Sequence, residues 1–385
     1  MRVTLVAETF TPAVNGVVNS VRHVCEQLAA RGHDPVVVAP SGSPWVAECG
    51  RTVDVVTVPS LELPSYRGLS IARPSTDLVP VLRELRPDVV HLASPAVLGW
   101  SAVKAASALG IPSVAVFQTD LSAFVARYGL RAGAPLVWSW LRRIHNAADL
   151  TLAPSSAIAY QLRRQGIGPI AMWGRGVDGE LFNRRHRDER WRAETGAGGM
   201  LVGFVGRLAA EKCVDLLEPV AHLPGVQLVI VGDGPRRRSL QRMMPTATFT
   251  GQLVGPELGR AMASLDLLVH PGSNETFCQV IQEALSAGVP VIAAAAGGPL
   301  DLVRHGDNGW LWAGGDEHLL AAQVAAVRDD PGEHARVAAR TTASVAGRTW
   351  GRVTDQLLNH YRRVIGSDVT RAARGGRLVR RRAPA

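Results

Sequence analysis

The sequence predicts an α/β protein of two doubly wound parallel-sheet domains facing each other across a central cleft, and three observations carry that prediction. Short β-rich runs alternate with amphipathic helical stretches from the first residue onward, the pattern of a parallel sheet covered by helices. The alternation halts once, in a polar stretch near the middle, and then restarts. At 385 residues the chain also exceeds what one hydrophobic core usually organises.

In the first half the strand-like runs are Val3 to Ala7, Val36 to Ala39, Val53 to Val58, Val89 to Leu92, Ser113 to Phe117 and Leu150 to Ala153. The first helix reads from Asn15 to Arg31, with Val17, Val21, Val24 and Leu28 on one face and Gly32 as its stop. Phe182 to Gly199 is charge-dense and ends in glycines, so residues 182–199 are expected to be a linker after a first domain of residues 1–181. Strands then recur at Leu201 to Val205, Val226 to Val231, Ala247 to Thr250, Leu267 to His270 and Pro290 to Ala294, giving a second domain over residues 200–347. Trp350 to Ile365 reads as a last amphipathic helix with Val353, Leu357, Leu358 and Tyr361 on its inner side, within a helical segment of residues 348–366. Residues 367–385 are expected to be a basic, disordered tail, because Gly375-Gly376 argues against a rigid continuation.

A composition of 46% hydrophobic and 19% charged residues, with 39 Gly and 24 Pro spread along the chain, excludes wholesale disorder. The longest apolar runs, such as Val289 to Ala296, fall far short of the roughly 20 residues that a bilayer span requires. Neither a transmembrane helix nor a secretory signal is expected. Four cysteines, Cys25, Cys49, Cys213 and Cys278, lack CxxC spacing and suit a reduced cytoplasmic compartment. The net charge is +9, but Gly366 to Ala385 holds six Arg against Asp368, which leaves +4 on the body. That is too weakly basic to suggest nucleic acid. Only Lys104 and Lys212 are lysines among the 42 basic residues. A lysine in a glycine-bearing loop therefore stands out, since a compact ammonium and a planar guanidinium are different phosphate ligands.

Leu201 to Val205 runs into Gly206-Arg207, and Lys212 follows shortly after. One strand-to-helix loop thus offers two cations and an unhindered backbone, a set suited to a diphosphate, although an ordinary turn gives the same pattern. The stretch from His270 to Gly288 is richer. Phe277, Val280, Ile281, Ala284 and Leu285 make a buried helical stripe, Glu275 stands at its entry, and Gly288 is its stop. If the interval from Glu275 to Glu283 is helical throughout, it spans about 12 Å, beyond the reach of an acid and base working on one glycosidic bond. The pair suits brackets around one long ligand, with hydroxyls at either end and the amides of Thr276, Phe277 and Cys278 meeting anionic oxygens between them. The plain alternative makes Glu275 a helix-entry acid and Glu283 part of a solvated face.

Gly206-Arg207 with Lys212, the Glu-x7-Glu pair ending in Glu283-Ala-Leu-Ser-Ala-Gly-Val-Pro, and Gly232-Asp-Gly-Pro235 together resemble the retaining glycosyltransferases of family 4, whose fold is GT-B, two Rossmann-like domains around a cleft. The resemblance spans nearly the whole chain. AETFTPAVNGVVNSV near the amino terminus, the run from His91 to Gly99, and FQTD at Phe117 to Asp120 are similar, more narrowly, to actinobacterial GDP-mannose-dependent α-mannosyltransferases acting on membrane glycolipids. The resemblance implies that Gly206, Arg207 and Lys212 hold the diphosphate, Glu275 contacts the donor sugar and Glu283 meets the ribose hydroxyls. It implies an acceptor-side first domain, a nucleotide-sugar-binding second domain and a final helix that packs back on the first. Gly16 would let backbone amides approach the diphosphate from the opposite domain, or is an ordinary turn glycine. Family members often carry His where this chain has Gln118, so Gln118 and Asp120 become the candidates beside the donor sugar and the acceptor hydroxyl. An Asp after a strand also serves as a loop cap.

In this family the leaving diphosphate itself is thought to deprotonate the incoming hydroxyl, on the same face of the sugar. The sequence is consistent with that: it shows no Gly-x-Ser-x-Gly elbow, no metal cluster and no DxD loop. The expected enzyme needs no cofactor and no metal, and takes GDP-mannose or another nucleotide sugar as donor and a lipid-linked or glycolipid acceptor of the cell envelope. A UDP-sugar-dependent transferase, a nucleotide-sugar epimerase of the same architecture and a noncatalytic binder are the competing readings. A dehydrogenase is disfavoured, because the turns after the first strand of each domain lack GxGxxG. The arginine-rich tail either meets an anionic membrane surface, placing a cytoplasmic protein on the inner face of the plasma membrane, or is a solvated end.

Overall fold

The computed structural model describes residues 1–13, 15–62, 70–119, 133–196 and 198–379. The first half folds its β-branched runs into strands β1 (Arg2–Ala7), β2 (Asp34–Ala39), β3 (Trp45–Val46), β4 (Thr52–Thr57), β5 (Ser60–Glu62), β6 (Ser70–Ala72), β7 (Val89–Ala93), β8 (Ser113–Val116), β9 (Leu150–Ala153) and β10 (Ile170–Met172). Eight of them form one sheet in the order β10-β9-β8-β7-β1-β2-β4-β3, while β5 and β6 pair separately. All neighbours in the large sheet run parallel except β3 against β4. Its central strands are buried along their whole length, as a sheet covered on both faces requires.

The second half supplies β11 (Met200–Val205), β12 (Val226–Val231), β13 (Thr248–Gly251), β14 (Leu267–His270), β15 (Val291–Ala294) and β16 (Gly309–Trp312), all parallel, in the order β13-β12-β11-β14-β15-β16. The chain starts in the middle, builds to one side, then crosses to the other. The order therefore reverses between β11 and β14, and in open α/β sheets ligands bind outside the carboxyl ends of strands at such a switch point. The loops leaving β11 and β14 carry Gly206 to Lys212 and Pro271 to Cys278. Both expected motifs therefore come to one crevice.

Several boundaries differ from expectation for physical reasons. The short strands β10 and β16 escaped the periodicity, β16 being aromatic rather than β-branched. The expected linker 182–199 is not free: Asp188 caps a helix at Glu189–Glu194, Trp191 is buried in the second core, and Arg187 and Arg192 both pair with Asp266. The final helix runs Trp350–Val379, beyond the expected end near Ile365 and into residues expected to be a disordered tail. Arg380, Arg381 and Arg382 of that tail lie outside the described residues, as do Val14 and Asp120. Among the described residues no helix is long and apolar enough to cross a membrane.

The chain crosses between domains twice, side by side, with the Val177 amide donating to the Arg348 carbonyl at 2.8 Å. After the second crossing, Val353, Leu357, Leu358, Tyr361 and Val364 of the final helix enter the first domain's core. Each such buried side chain contributes on the order of 1.5–3 kcal/mol. Buried polar contacts help fix the docking: Trp173 Nε1 donates to the Val353 carbonyl at 2.9 Å, and Tyr361 Oη meets His91 Nδ1 at 2.7 Å with both residues buried. Burial keeps the His91 imidazole neutral, its pKa pulled down to about 3. Tyr361→Phe should therefore lower the free energy of unfolding by about 1–3 kcal/mol, the cost of leaving a buried ring nitrogen unpartnered, as read by denaturant titration.

Candidate active site

The first domain brings little free helix-terminal charge to the cleft. Glu8, just past β1, accepts from the amides of Ala96, Leu98 and Gly99 at 2.6, 3.1 and 2.8 Å and so occupies the start of the Val97–Leu109 helix. Asn15 does the same for the Gly16–Ala30 helix, its Oδ1 accepting from Val17 and Val18 at 3.0 Å each. Of that helix start, Gly16 itself faces the segment after β10: its carbonyl accepts from Arg175 Nη1 at 3.0 Å, and a Cβ there would stand 2.8 Å from the same nitrogen.

In the second domain, Lys212 and Glu275, 63 positions apart, meet across the switch point with Lys212 Nζ 2.5 Å from Glu275 Oε1. His270, at the end of β14, places Nε2 2.9 Å from the same oxygen. The ring stacks at 5.9 Å on Phe204 and leaves Nδ1 buried without a partner. Burial alone would raise the Glu275 carboxyl, but Lys212 and His270 outweigh it and hold the group down at about 2. Burial works against the Lys212 charge as well, yet Glu275 lifts its pKa above the ordinary value. Backbone geometry completes the setting: the Gly298 amide donates to the Glu275 carbonyl at 2.8 Å. At Gly297, φ is +63° and a Cβ would stand 2.4 Å from that carbonyl, so only glycine fits. Glu275, His270 and Cys278 offer ligand atoms within 4.8 Å of one another, a spacing that could hold a metal. The Lys212 ammonium already supplies a cation to the shared oxygen.

The interval between the two glutamates is only half helical. The helix is Gln279–Ser286, and Cys278 before it is left-handed at φ +71°, so Glu275 rides on a loop and the 12 Å helical spacing does not apply. The loop bonds the first domain at Thr276: its carbonyl accepts from Ser155 Oγ at 2.8 Å, and its hydroxyl donates to the Gln118 carbonyl at 2.9 Å. Phe277 is buried in the second core and Cys278 beside it. Glu283 is half-buried rather than on a freely solvated face. Exclusion from water pushes its carboxyl up to about 7, against the opposing pull of a Gln279 hydrogen bond and the Arg175 charge. Arg207 is exposed on the loop after β11, and Gly206 precedes it at the strand end.

Sequence reasoning missed the residues that join the two walls. Gln282, fully buried, donates Nε2 to the Arg175 carbonyl at 3.0 Å, and Gln279 donates to the Gly176 carbonyl at 2.8 Å. Arg175 then donates Nη2 to Gln118 Oε1 at 2.8 Å, so Gln118 is held through both its carbonyl and its side chain. The two glutamines interrupt the apolar stripe of their helix, which was the available signal. Arg175 had none, being one arginine among many in Trp-Gly-Arg-Gly-Val-Asp.

Because Glu283 is held near 7 in the fold and would fall to the ordinary carboxylate value on unfolding, the folded state binds the extra proton. Its contribution to stability is therefore present at low pH and lost as pH rises toward 7. Glu283→Gln removes the buried charge, so its melting temperature relative to the parent should rise between pH 5 and pH 8. Parallel melts that keep a constant difference would contradict the assignment.

Residues 14–181 match the family described as Glycosyltransferase Family 4, and residues 199–330 match Glycosyl transferases group 1. The chain is similar to a GDP-mannose-dependent alpha-mannosyltransferase of Corynebacterium glutamicum, 46% identical over 95% of this chain and 89% of that one. It is also similar to the enzyme of the same name from Mycobacterium tuberculosis, 47% identical over 97% and 99% respectively. The crystal structure of Anabaena Alr3699/HepE in complex with UDP superposes with a TM-score of 0.76 at 21% identity, covering 94% of this chain and 99% of that one. Two parallel-sheet domains, a crevice at the strand reversal and these likenesses have one reading: the chain is a GT-B glycosyltransferase and belongs to glycosyltransferase family 4.

Proposed function

We propose that this enzyme moves α-mannose from GDP-mannose, with retention, to a membrane glycolipid in building the cell envelope. The observation that carries the donor assignment is the 46–47% identity, over nearly the full length, to enzymes whose names specify that donor. The acceptor assignment rests on the resemblance of the amino-terminal stretches, and the arginine-rich tail is in keeping with work at an anionic surface.

In this reading the bond from the anomeric carbon to the diphosphate oxygen breaks, the acceptor oxygen bonds the same carbon on the same face, and its proton passes to the departing diphosphate. Arg207 and Lys212 take up the charge that grows on that diphosphate, with Gly206 keeping the loop close and Gly16 approaching from the opposite wall. Arriving phosphate would share the Lys212 ammonium with Glu275. Glu275, anionic throughout, accepts from sugar hydroxyls and favours positive charge at the anomeric centre, while Glu283 accepts from the ribose. Gln118 lines the sugar end, and Asp120 is assigned to the acceptor hydroxyl. Thr276, Phe277 and Cys278 shape the backbone between the glutamates rather than forming a helix start. The reaction needs no metal and no cofactor, since two side-chain cations neutralise the diphosphate.

A nucleotide-sugar panel tests the donor: GDP-mannose should raise the melting temperature and give a mannosylated lipid product, with a rate nearly unchanged in saturating EDTA. A UDP-sugar as the sole effective donor, or activity that EDTA abolishes and Mg²⁺ restores, would refute the respective part. Single substitutions divide the roles. Lys212→Ala should lower kcat by about 10²–10³, the usual loss for one contact to developing charge, whereas Glu283→Gln should chiefly raise the donor KM. Equal effects of the two on kcat and KM would contradict the division.

A further inference from the structure

Arg175 lies on the segment that carries the chain from β10 toward the second domain, outside the stretches that carry the family resemblance. Its guanidinium forks: Nη1 donates to the Gly16 carbonyl at 3.0 Å and Nη2 to Gln118 Oε1 at 2.8 Å, both on the first domain's side of the cleft. Its backbone is held from the other side, because Gln282 and Gln279 of the glutamate-bearing helix clamp the carbonyls of Arg175 and Gly176. Its Nε is buried without a partner. The carboxylates whose fields act on it are Glu275 and Glu283, and they oppose the burial that lowers its pKa to about 10, so it stays charged at neutral pH. Glu283 in turn is acted on by Arg175 and by the Gln279 amide, with the Cys278 thiol and Glu275 on the loop before its helix. A guanidinium can join these parts because its donors leave a rigid plane in fixed directions, which an ammonium on a flexible stem does not reproduce.

We propose that Arg175 is a positioning residue that holds the Gly16 backbone and the Gln118 side chain of one wall in register with the Glu283 carboxylate of the other. It joins both walls, and it acts on the reaction through Gln118 and Glu283 rather than by touching the reacting atoms. The proposal rests on the reading of those two residues as donor contacts.

Two substitutions separate geometry from charge. Arg175→Lys keeps the charge and loses the fork, and Arg175→Met loses both. Each should lower kcat with GDP-mannose by roughly 10–100-fold, since misplacement by about an ångström costs up to that order. Gln118→Ala should give a similar loss, and adding it to Arg175→Lys should make matters little worse, because both act through one contact. In Arg175→Met alone, the acid limb of kcat/KM should move to higher pH, as Glu283 loses the charge that favours its ionised form.

A donor-free measurement keeps the proposal separate from the assigned function. The melting-temperature difference between Glu283→Gln and its parent should develop at higher pH in an Arg175→Met background than in the wild type, and at an unchanged pH in Arg175→Lys. Wild-type kcat in Arg175→Lys, or additive losses with Gln118→Ala, would overturn the positioning role while leaving the transfer reaction standing. An unmoved melting profile in Arg175→Met would overturn the link to Glu283 whatever the donor proves to be. If the Arg175 variants fail to fold, Gln118→Leu judges the register: it breaks one anchor, leaves the charge, and should lower kcat without moving the acid limb. Unaltered kcat in that variant would refute it.

Discussion

The ion pair of Lys212 and Glu275 depends on the order of strands in the second domain. Neither residue is near the other in sequence, and only the reversal between β11 and β14 sets their loops side by side. Taking two charges out of water is costly, and their attraction repays it only where geometry is good and remaining lone pairs are met. Here His270 meets the same carboxylate oxygen and the Gly298 amide fixes the backbone behind it. The field of the site is thus set by the fold and needs little rearrangement when charge moves, the condition under which fixed charges are most effective in catalysis.

The two walls are joined by neutral or singly charged hydrogen-bonding groups aimed at backbone. Gln279 and Gln282 grip carbonyls of the crossing segment, and Ser155 and Thr276 bridge the domains nearby. Amides suit that task beside Glu283, because they satisfy carbonyls without adding a charge that would move the carboxylate's titration further. Asp301 makes a parallel contact, accepting from the Ser156 amide at 2.6 Å at the start of the Ser156–Arg164 helix of the other domain. The crossings adjoin these clamps: Gly176, gripped by Gln279, precedes Val177, and Arg348 Nη2 donates to the Asp301 carbonyl at 3.0 Å.

The sequence made the alternation of strands and helices, the two domains and the crevice-facing loops readable, because parallel sheets leave long apolar runs and glycine stops. It placed Lys212 and Glu275 in one site through family resemblance, whereas their contact is a product of strand order that no local spacing encodes. The helix was expected to begin near Glu275 because periodicity continued through Phe277. The packing of Gly297 and Gly298 against the Glu275 and Phe277 backbone, a contact between distant loops, accompanies a start at Gln279 instead. Trp191 was the overlooked clue in the supposed linker, since a lone tryptophan among charges marks a docking point. Arg175 was invisible for a compositional reason: in a chain with two lysines and forty arginines, one more arginine carries little information.

Burial pushes both glutamates of the pair toward the protonated form, yet they end on opposite sides of the ordinary value, at about 2 and about 7. The difference is the counter-charge within reach. Glu275 has an ammonium and an imidazole on one oxygen, while Glu283 has a neutral amide and the field of a guanidinium already engaged with Gly16 and Gln118. An acid beside a centre that gains positive charge must be anionic at every working pH, because a protonated one would withdraw its stabilisation when it is needed. In the proposed reading Glu283 meets an unreacting ribose, faces no such demand and tolerates a value near neutrality. Environment thus separates two like residues into a fixed charge and a group that titrates near neutrality, and the helix start between them is what lets one sit on a loop among cations and the other on a helix among amides.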